Sequence, residues 1–236
     1  FASLNLGMSR LPEISTILRF RHLLEAHDLR LQVMAAINAP LAEKGLVLKT
    51  GTVVDATLIA ALNSTKNKDG EREPEMHQTK KGYQWHFGMK ALISDDADLG
   101  LVHSIIGTAA KVSDFTRGHD LLHGNETLVF ADAGYLSADK RPEATGVQWH
   151  VAMRPSKHRA LREEDTGWGA LLDQVEKLKA SVRAKVEHPS RVIKRKFAHT
   201  KDRYRVLTKN TAQLFTIFAL SNPWMVPARL SITVQA

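Results

Sequence analysis

Residues 50–61 read TGTVVDATLIAA, and the fold turns on how this stretch is read. Its β-branched residues Thr52, Val53 and Val54 favour extended backbone, and the apolar run resumes after Asp55 through Leu58 and Ile59. A strand here delivers the Asp55 carboxylate to the rim of a sheet. The same arrangement recurs in residues 126–135, ETLVFADAGY, where Asp132 ends a short apolar run. A third acid, Glu187, lies in residues 181–196, SVRAKVEHPSRVIKRK, on a helical pattern among cations. Two strand-borne aspartates and a helix-borne glutamate can together hold a pair of hard divalent ions, the apparatus for breaking and joining phosphodiester bonds.

Toward the N-terminus of the Asp55 strand, residues 1–45 read as helical. Leu18, Phe20, Leu23 and Leu24 recur at helical spacing after a Ser15-Thr16 start signal, and Leu29 to Lys44 forms a second stripe. Two helices packing on the next domain are the plainer reading. The end of a helix-turn-helix-like DNA-binding region is the sharper one, although no recognition-helix signature stands out. No signal-peptide pattern follows Phe1, so the chain is expected to begin part-way through a longer product.

Toward the C-terminus, Ser64 to Lys81 is dense in charge without periodicity and reads as a loop. Tyr83 to Ile93 and Leu101 to Ile106 read as strands joined through DDADLG, a hairpin signal. Asp114 to His123 is expected to be helical. LVFAD makes a fourth strand and, after a short helix, GVQWHVAM a fifth. A helix follows with Trp168, Leu171, Leu172, Val175, Leu178, Val182 and Val186 on one face. Strands in a meander, then strand, helix, strand, helix, make a mixed α/β domain. A five-stranded mixed sheet flanked by helices is the ribonuclease-H-like arrangement, in which carboxylates from the first strand, the fourth strand and a following helix converge at one sheet edge. Asp55, Asp132 and Glu187 stand in that order.

Composition narrows the function. Hydrophobic residues make up 43% of the 236, enough for a packed core. The net charge of +8 and isoelectric point near 9.7 favour a polyanionic partner. No apolar run approaches the roughly 18 residues a spanning helix needs, which argues against a membrane protein. Cysteine is absent, removing disulfides, thiolate zinc sites and cysteine nucleophiles, and a reducing bacterial-type cytosol fits. The histidines show no HExxH or paired zinc spacing, Asp95, Asp96 and Asp98 look like turn chemistry, and no phosphate-cradling glycine loop suggests ATP use.

Taken singly, an aspartate after an apolar strand is more often a turn or helix-cap residue. The order of the three acids, and the cations around Glu187, favour the metal reading. Arg183 and Arg191 lie four residues to either side and Lys194 seven beyond, all on one face if the helix is continuous. Pro189 disfavours helical geometry at His188, so a kink or restart is expected just after Glu187. Lys66, Lys68, Lys80 and Lys81 with Tyr83, Trp85 and Phe87 could grip a backbone and stack on an unpaired base. The alternation of those aromatics favours a buried strand face for most of them. Lys201, Arg203, Arg205 and Lys209 suggest either a DNA-facing surface or a solvated loop.

The stretches LKTGTVVDATLIAA, STKNKDGEREPEMHQTKKGYQWHFGMKA, DADLGLVHSIIGTAAKVSD, VFADAGY and VRAKVEHPSRVIKRKFAHTKDRYRVLTKNTAQLFTIFALSN resemble bacterial insertion-sequence transposases of the DDE type, in the insertion-sequence-five group of the insertion-sequence-four-like superfamily. The likeness runs from about Ser9 to Asn222. That family's glutamate motif is Tyr, two residues, Arg, three residues, Glu, six residues, Lys. Arg183, Glu187 and Lys194 occupy its last three places, and Ala180 stands where the tyrosine is expected. The resemblance implies a ribonuclease-H-like catalytic domain over 46–222, behind a helical remnant of an N-terminal DNA-binding region over 1–45 and before a tail over 223–236. It implies Asp55, Asp132 and Glu187 as catalytic and metal residues for two Mg²⁺ ions, with Mn²⁺ as a substitute. Arg183, Lys194, Arg191, Lys80 and Lys81 would support the site or bind DNA phosphate. The implied activity is cleavage at terminal inverted repeats and strand transfer into target DNA, by a homo-oligomer on double-stranded DNA at the bacterial nucleoid. The alternatives are a catalytically silent DNA-binding remnant or inhibitor of the full-length enzyme, and a ribonuclease-H-like nuclease without strand transfer.

Overall fold

The structure, a computed structural model, describes residues 12–47, 51–66, 68, 70–141, 146–163, 167–184 and 187–233, with the side chains at 162, 163, 187 and 227–233 excepted. Positions 1–11 of the helical N-terminal segment, Val186 of the apolar helix face and the last three residues of the expected tail lie outside the described residues.

Two helices, α1 (Ile14–Ala26) and α2 (Arg30–Glu43), precede the strands β1 (Gly51–Ala60), β2 (His77–Lys81), β3 (Gln84–Asp96), β4 (Val102–Ala109), β5 (Leu128–Ala131) and β6 (Gln148–Val151). The helices α3 (Pro155–Glu163), α4 (Gly167–Arg183), α5 (Glu187–Arg195) and α6 (Leu207–Thr233) follow. The main sheet runs β4-β3-β1-β5-β6. Its first two pairings, β3 with β4 and β1 with β3, are antiparallel, and β1–β5 and β5–β6 are parallel. This is the expected ribonuclease-H-like mixed sheet.

The centre of that sheet explains the composition of residues 50–61. Strand β1 is hydrogen-bonded on both edges and covered on both faces, so Val53 and Val54 are both fully buried although they point opposite ways. Val53 and Ile59 join one core with Met34 of α2 and Leu214 and Phe218 of α6. Val54 joins another with Leu92, Val129, Ala131 and Tyr135. The first core is pinned at one end by amides. Asn222 Nδ2 donates to Asn38 Oδ1 (2.8 Å) and to the Val102 carbonyl (2.6 Å), and its Oδ1 accepts from the Val102 N–H (2.9 Å). These bonds satisfy the backbone of Val102 beside the register shift at Ser94/Asp95 and tie α2, α6 and β4 together.

Several expectations change. Part of the predicted 64–81 loop is β2, which pairs with Gln84–Gly88 and adds a sixth strand alongside the longer-than-expected β3. Charged residues pair here because both faces of this hairpin are largely exposed, so no apolar alternation marks it. Residues 114–123 form two 3₁₀ turns, Asp114–Thr116 and His119–Leu121, and not the expected helix; Gly118 separates them. Tyr83 and Trp85 are exposed, and of the three alternating aromatics only Phe87 packs on the core. On α4, Trp168, Leu171, Val175 and Leu178 of the apolar face are exposed as well. Helix α6 runs past Asn222 into the segment expected as a tail. Among the described residues, no helix is long and apolar enough to cross a membrane.

Candidate active site

The parallel pairing of β1 with β5 places two of the three acids together. Val53 faces Phe130 and Val54 faces Ala131 in the ladder, so Asp55 and Asp132 come next on strands about 4.8 Å apart. The two-residue period carries both to the face of Val53 and Phe130, where α5 and α6 lie. Asp132 then leaves the strand. Its backbone is extended (φ −81°, ψ 176°), and its Oδ1 accepts from the Gly134 N–H at 2.8 Å, capping the 3₁₀ turn Ala133–Tyr135. That bond holds one carboxylate oxygen at the start of the turn. An added Cβ at Gly134 would lie 2.8 Å from Asp132 Oδ1, so glycine leaves the carboxylate its place.

The two acids share a cleft of about 510 Å³ with Thr57, Lys80, Lys81, Lys90, Asp114, Arg183 and Ser190 among its walls. Burial, and then the charge of Asp132, push the Asp55 carboxyl up to about 6 against the pull of Arg183 and Lys81. Desolvation and a neighbouring carboxylate both disfavour the charged form of Asp55, and a cation held between the two acids would reverse that. Tyr135, buried in the core of Val54, has its phenol pushed well above its usual range by burial and by Asp114, Asp55 and Asp132, so it stays a neutral hydroxyl.

Of the remaining predicted residues, Lys80, Lys81 and Arg183 line the cleft. Lys80 and Lys81 arrive on the β2–β3 hairpin; Lys80 Nζ sits 5.9 Å from the centre of the Trp85 ring. Lys194 of α5 donates a 2.6 Å hydrogen bond to Thr57 Oγ1, two residues beyond Asp55 on the same strand face. Burial and Lys81 lower its ammonium pKa, and Asp55 works against them. Arg191 is exposed and forms no part of the cleft wall.

Position 187 is the first residue of α5, and its side chain lies outside the described residues. It precedes Ser190, a cleft residue, by one turn and Lys194 by two. The expected single helix through Arg183, Glu187 and Arg191 is not formed. Helix α4 ends at Arg183 and α5 begins at Glu187, so the break falls before the glutamate and not after it. Pro189 thereby occupies the first turn of a new helix, where a missing N–H costs no hydrogen bond. Arg183 reaches the cleft from the end of α4.

Asp114 and Lys90 are cleft residues that the sequence reading missed. Lys90 Nζ donates to Asp114 Oδ1 at 2.7 Å and to the Val112 carbonyl at 2.8 Å. The available signal was a lone lysine within the apolar strand GMKALI, since a charge in a central strand needs a partner. Nothing local marked Asp114, which lies 24 residues away.

Residues 48–222 match the family described as the transposase DDE domain. The chain belongs to that family. The match covers β1 to β6, α3 to α5 and most of α6, so it includes the cleft and all three acids. No solved structure matches the chain. Membership makes this a transposase domain, for which DNA is the partner.

Proposed function

We propose that Asp55, Asp132 and Glu187 form the catalytic centre of a DDE transposase of the insertion-sequence-five group, acting on the ends of its element. The observation that carries this reading is the Asp55–Asp132 pair, set side by side by the β1–β5 register in a shared cleft where burial and the charge of Asp132 raise the proton affinity of Asp55. Such a pair fits two Mg²⁺ ions, with Mn²⁺ as a substitute, because hard cations take carboxylate oxygens and would draw the Asp55 proton off. Asp55, Asp132 and Glu187 would be the residues that hold them. The ions supply charge stabilisation for the attacking and leaving oxygens of an in-line displacement.

The chain's own residues do the positioning. Lys80, Lys81 and Arg183 surround the carboxylates and would hold the phosphates flanking the scissile bond. Lys194, through Thr57, ties α5, the helix that begins at position 187, to β1. In the cleavage step a water oxygen bonds to phosphorus as the bond to the 3′-oxygen breaks, leaving a 3′-hydroxyl and a 5′-phosphate. In the joining step that 3′-hydroxyl attacks a target phosphodiester and displaces its 3′-oxygen. Pairing two element ends calls for a homo-oligomer on DNA.

The test is incubation of the protein with DNA carrying its own element ends and a target plasmid. Mg²⁺- or Mn²⁺-dependent nicks and joined products are expected, and Asp55→Asn, Asp132→Asn and Glu187→Gln should each abolish both. Nicking that survives Asp132→Asn sinks the assignment. Nicking without joining identifies a nuclease, and binding without nicking a silent DNA-binding module.

A further inference from the structure

A second cluster of ligand-type side chains lies at the opposite end of β5. Glu126 precedes β5 by two residues, and Asp132 immediately follows it, so the two lie up to about 20 Å apart along extended chain. His103 of β4, His123 and Glu126 each present a ligand atom, and these atoms lie within 4.8 Å of one another. The two imidazoles meet edge to face, with centroids 4.8 Å apart. Glu126 Oε1 stands 3.3 Å from His123 Nε2. The carboxylate is held rigidly, its oxygens accepting the backbone N–H groups of His123 (2.6 Å) and Gly124 (2.7 Å).

We propose that His103, His123 and Glu126 bind one transition-metal ion of the Zn²⁺ or Co²⁺ class, as a structural site separate from the Asp55–Asp132 cleft. Two imidazole nitrogens and one carboxylate oxygen suit those metals and not Mg²⁺, and leave a fourth position for water. Tetrahedral bonds of about 2.0–2.1 Å separate ligand atoms by about 3.4 Å, so the present spacing of up to 4.8 Å needs a contraction of about 1.4 Å at most.

Charge and satisfaction both ask for an ion. The Glu126 side chain has no exposure, and a buried carboxylate needs a cation beside it. His123 Nε2 is buried with no hydrogen-bond partner among the described residues. Binding there places the proton on Nδ1 and gives up the weak 3.4 Å contact from the Asn125 N–H. The outer groups are ready: Ser94 and Ser104 hydroxyls lie 3.3 and 3.2 Å from His103 Nδ1, and Thr52 Oγ1 lies 3.4 Å from Nε2. His103 also lines a cleft of about 470 Å³ beside Met34 and Asn38 of α2, which offers an entry path. The ion would clamp the irregular segment before β5 to strand β4.

The experiment uses the untagged full chain carrying Asp55→Asn and Asp132→Asn, so that the candidate catalytic cleft is silenced and its fate is judged separately. Titration with Co²⁺ should give one equivalent with the intense visible absorption of a tetrahedral site. Zn²⁺ should raise the melting temperature, and Mg²⁺ should not. Adding His123→Gln should weaken binding by more than the roughly 10–100-fold typical of losing an outer-shell partner. A Co²⁺ spectrum indifferent to His123→Gln, or no melting shift with Zn²⁺, overturns the proposal. Should the His123 variant not fold, X-ray absorption of the Zn²⁺-loaded parent decides. Imidazole scattering from two ligands supports the site, and a shell of oxygen alone refutes it.

Discussion

Asp55 and Asp132 follow the register pair Val54–Ala131 on adjacent parallel strands, and the charge of one raises the proton affinity of the other. The Asp55 carboxyl titrates near 6 in the folded chain and near 3.8 when unfolded, so the folded chain binds more protons between those values. Its contribution to stability therefore falls as pH rises from about 4 to about 6 and stays reduced above. Asp55→Asn should raise the unfolding free energy at pH 7.5 in chelator by about 1–2 kcal/mol, after allowance for partial solvent screening. The gain should vanish below pH 4. Urea unfolding at the two pH values checks this, and an equal effect at both contradicts it.

Gly134→Ala separates site geometry from stability. Its Cβ would press on Asp132 Oδ1 at 2.8 Å and approach Asp114 Oδ2 at 3.3 Å, both ends of movable side chains. The melting temperature should change little. Displacing the carboxylate by a fraction of an ångström should cost roughly 10–100-fold in nicking rate.

Gly107→Ala should do the reverse. A Cβ there would fall 2.0 Å from Thr211 Oγ1 and 2.9 Å from Thr211 Cβ, so α6 must lift off β4. A loss of about 1–3 kcal/mol or more is expected from overpacking. Thr211→Ala in the same chain should recover part of it, measured by denaturant unfolding.

His199 is wholly buried, and burial followed by Arg203 lowers its pKa to about 4. It stays neutral while the unfolded chain takes up a proton near 6.5, so its contribution to stability is lost as pH falls from about 6.5 to about 4. His199→Leu should flatten the pH dependence of the unfolding free energy between pH 4.5 and 6, by up to about 1.4 kcal/mol per pH unit. Asp55 acts with the opposite sign in this window, so the comparison is best made in the Asp55→Asn background.

Trp85 is exposed on the hairpin that brings Lys80 and Lys81 to the cleft. Trp85→Ala should leave folding unchanged and weaken binding to DNA with unpaired ends by about 1–3 kcal/mol, the worth of one stacked base. Lys81→Ala should instead lower the salt slope of binding by about one. Fluorescence titration at several salt concentrations distinguishes the two roles.

How far the sequence carried these conclusions differs from residue to residue. Asp55 and Asp132 were legible because strand chemistry is local: a β-branched run names a strand, and a carboxylate in or after it is conspicuous. The order of strands named the sheet for the same reason. Arg183, Glu187 and Lys194 were proposed from the spacing of the family motif, and that spacing suggested one helix where α4 ends at Arg183 and Glu187 belongs to α5. Trp85 and Tyr83 were misjudged because alternation shows which residues share a face, not whether anything covers it.

The sequence by itself determined five of the six strands, the basic character and the order of the three acids, since each follows from propensity, composition or chain order. Only the tertiary structure decided which groups meet. The Lys90–Asp114 ion pair, the Lys194–Thr57 bond across 137 positions and the His103–His123–Glu126 cluster join elements remote along the chain. Such contacts depend on sheet register and helix packing, and no local pattern encodes them.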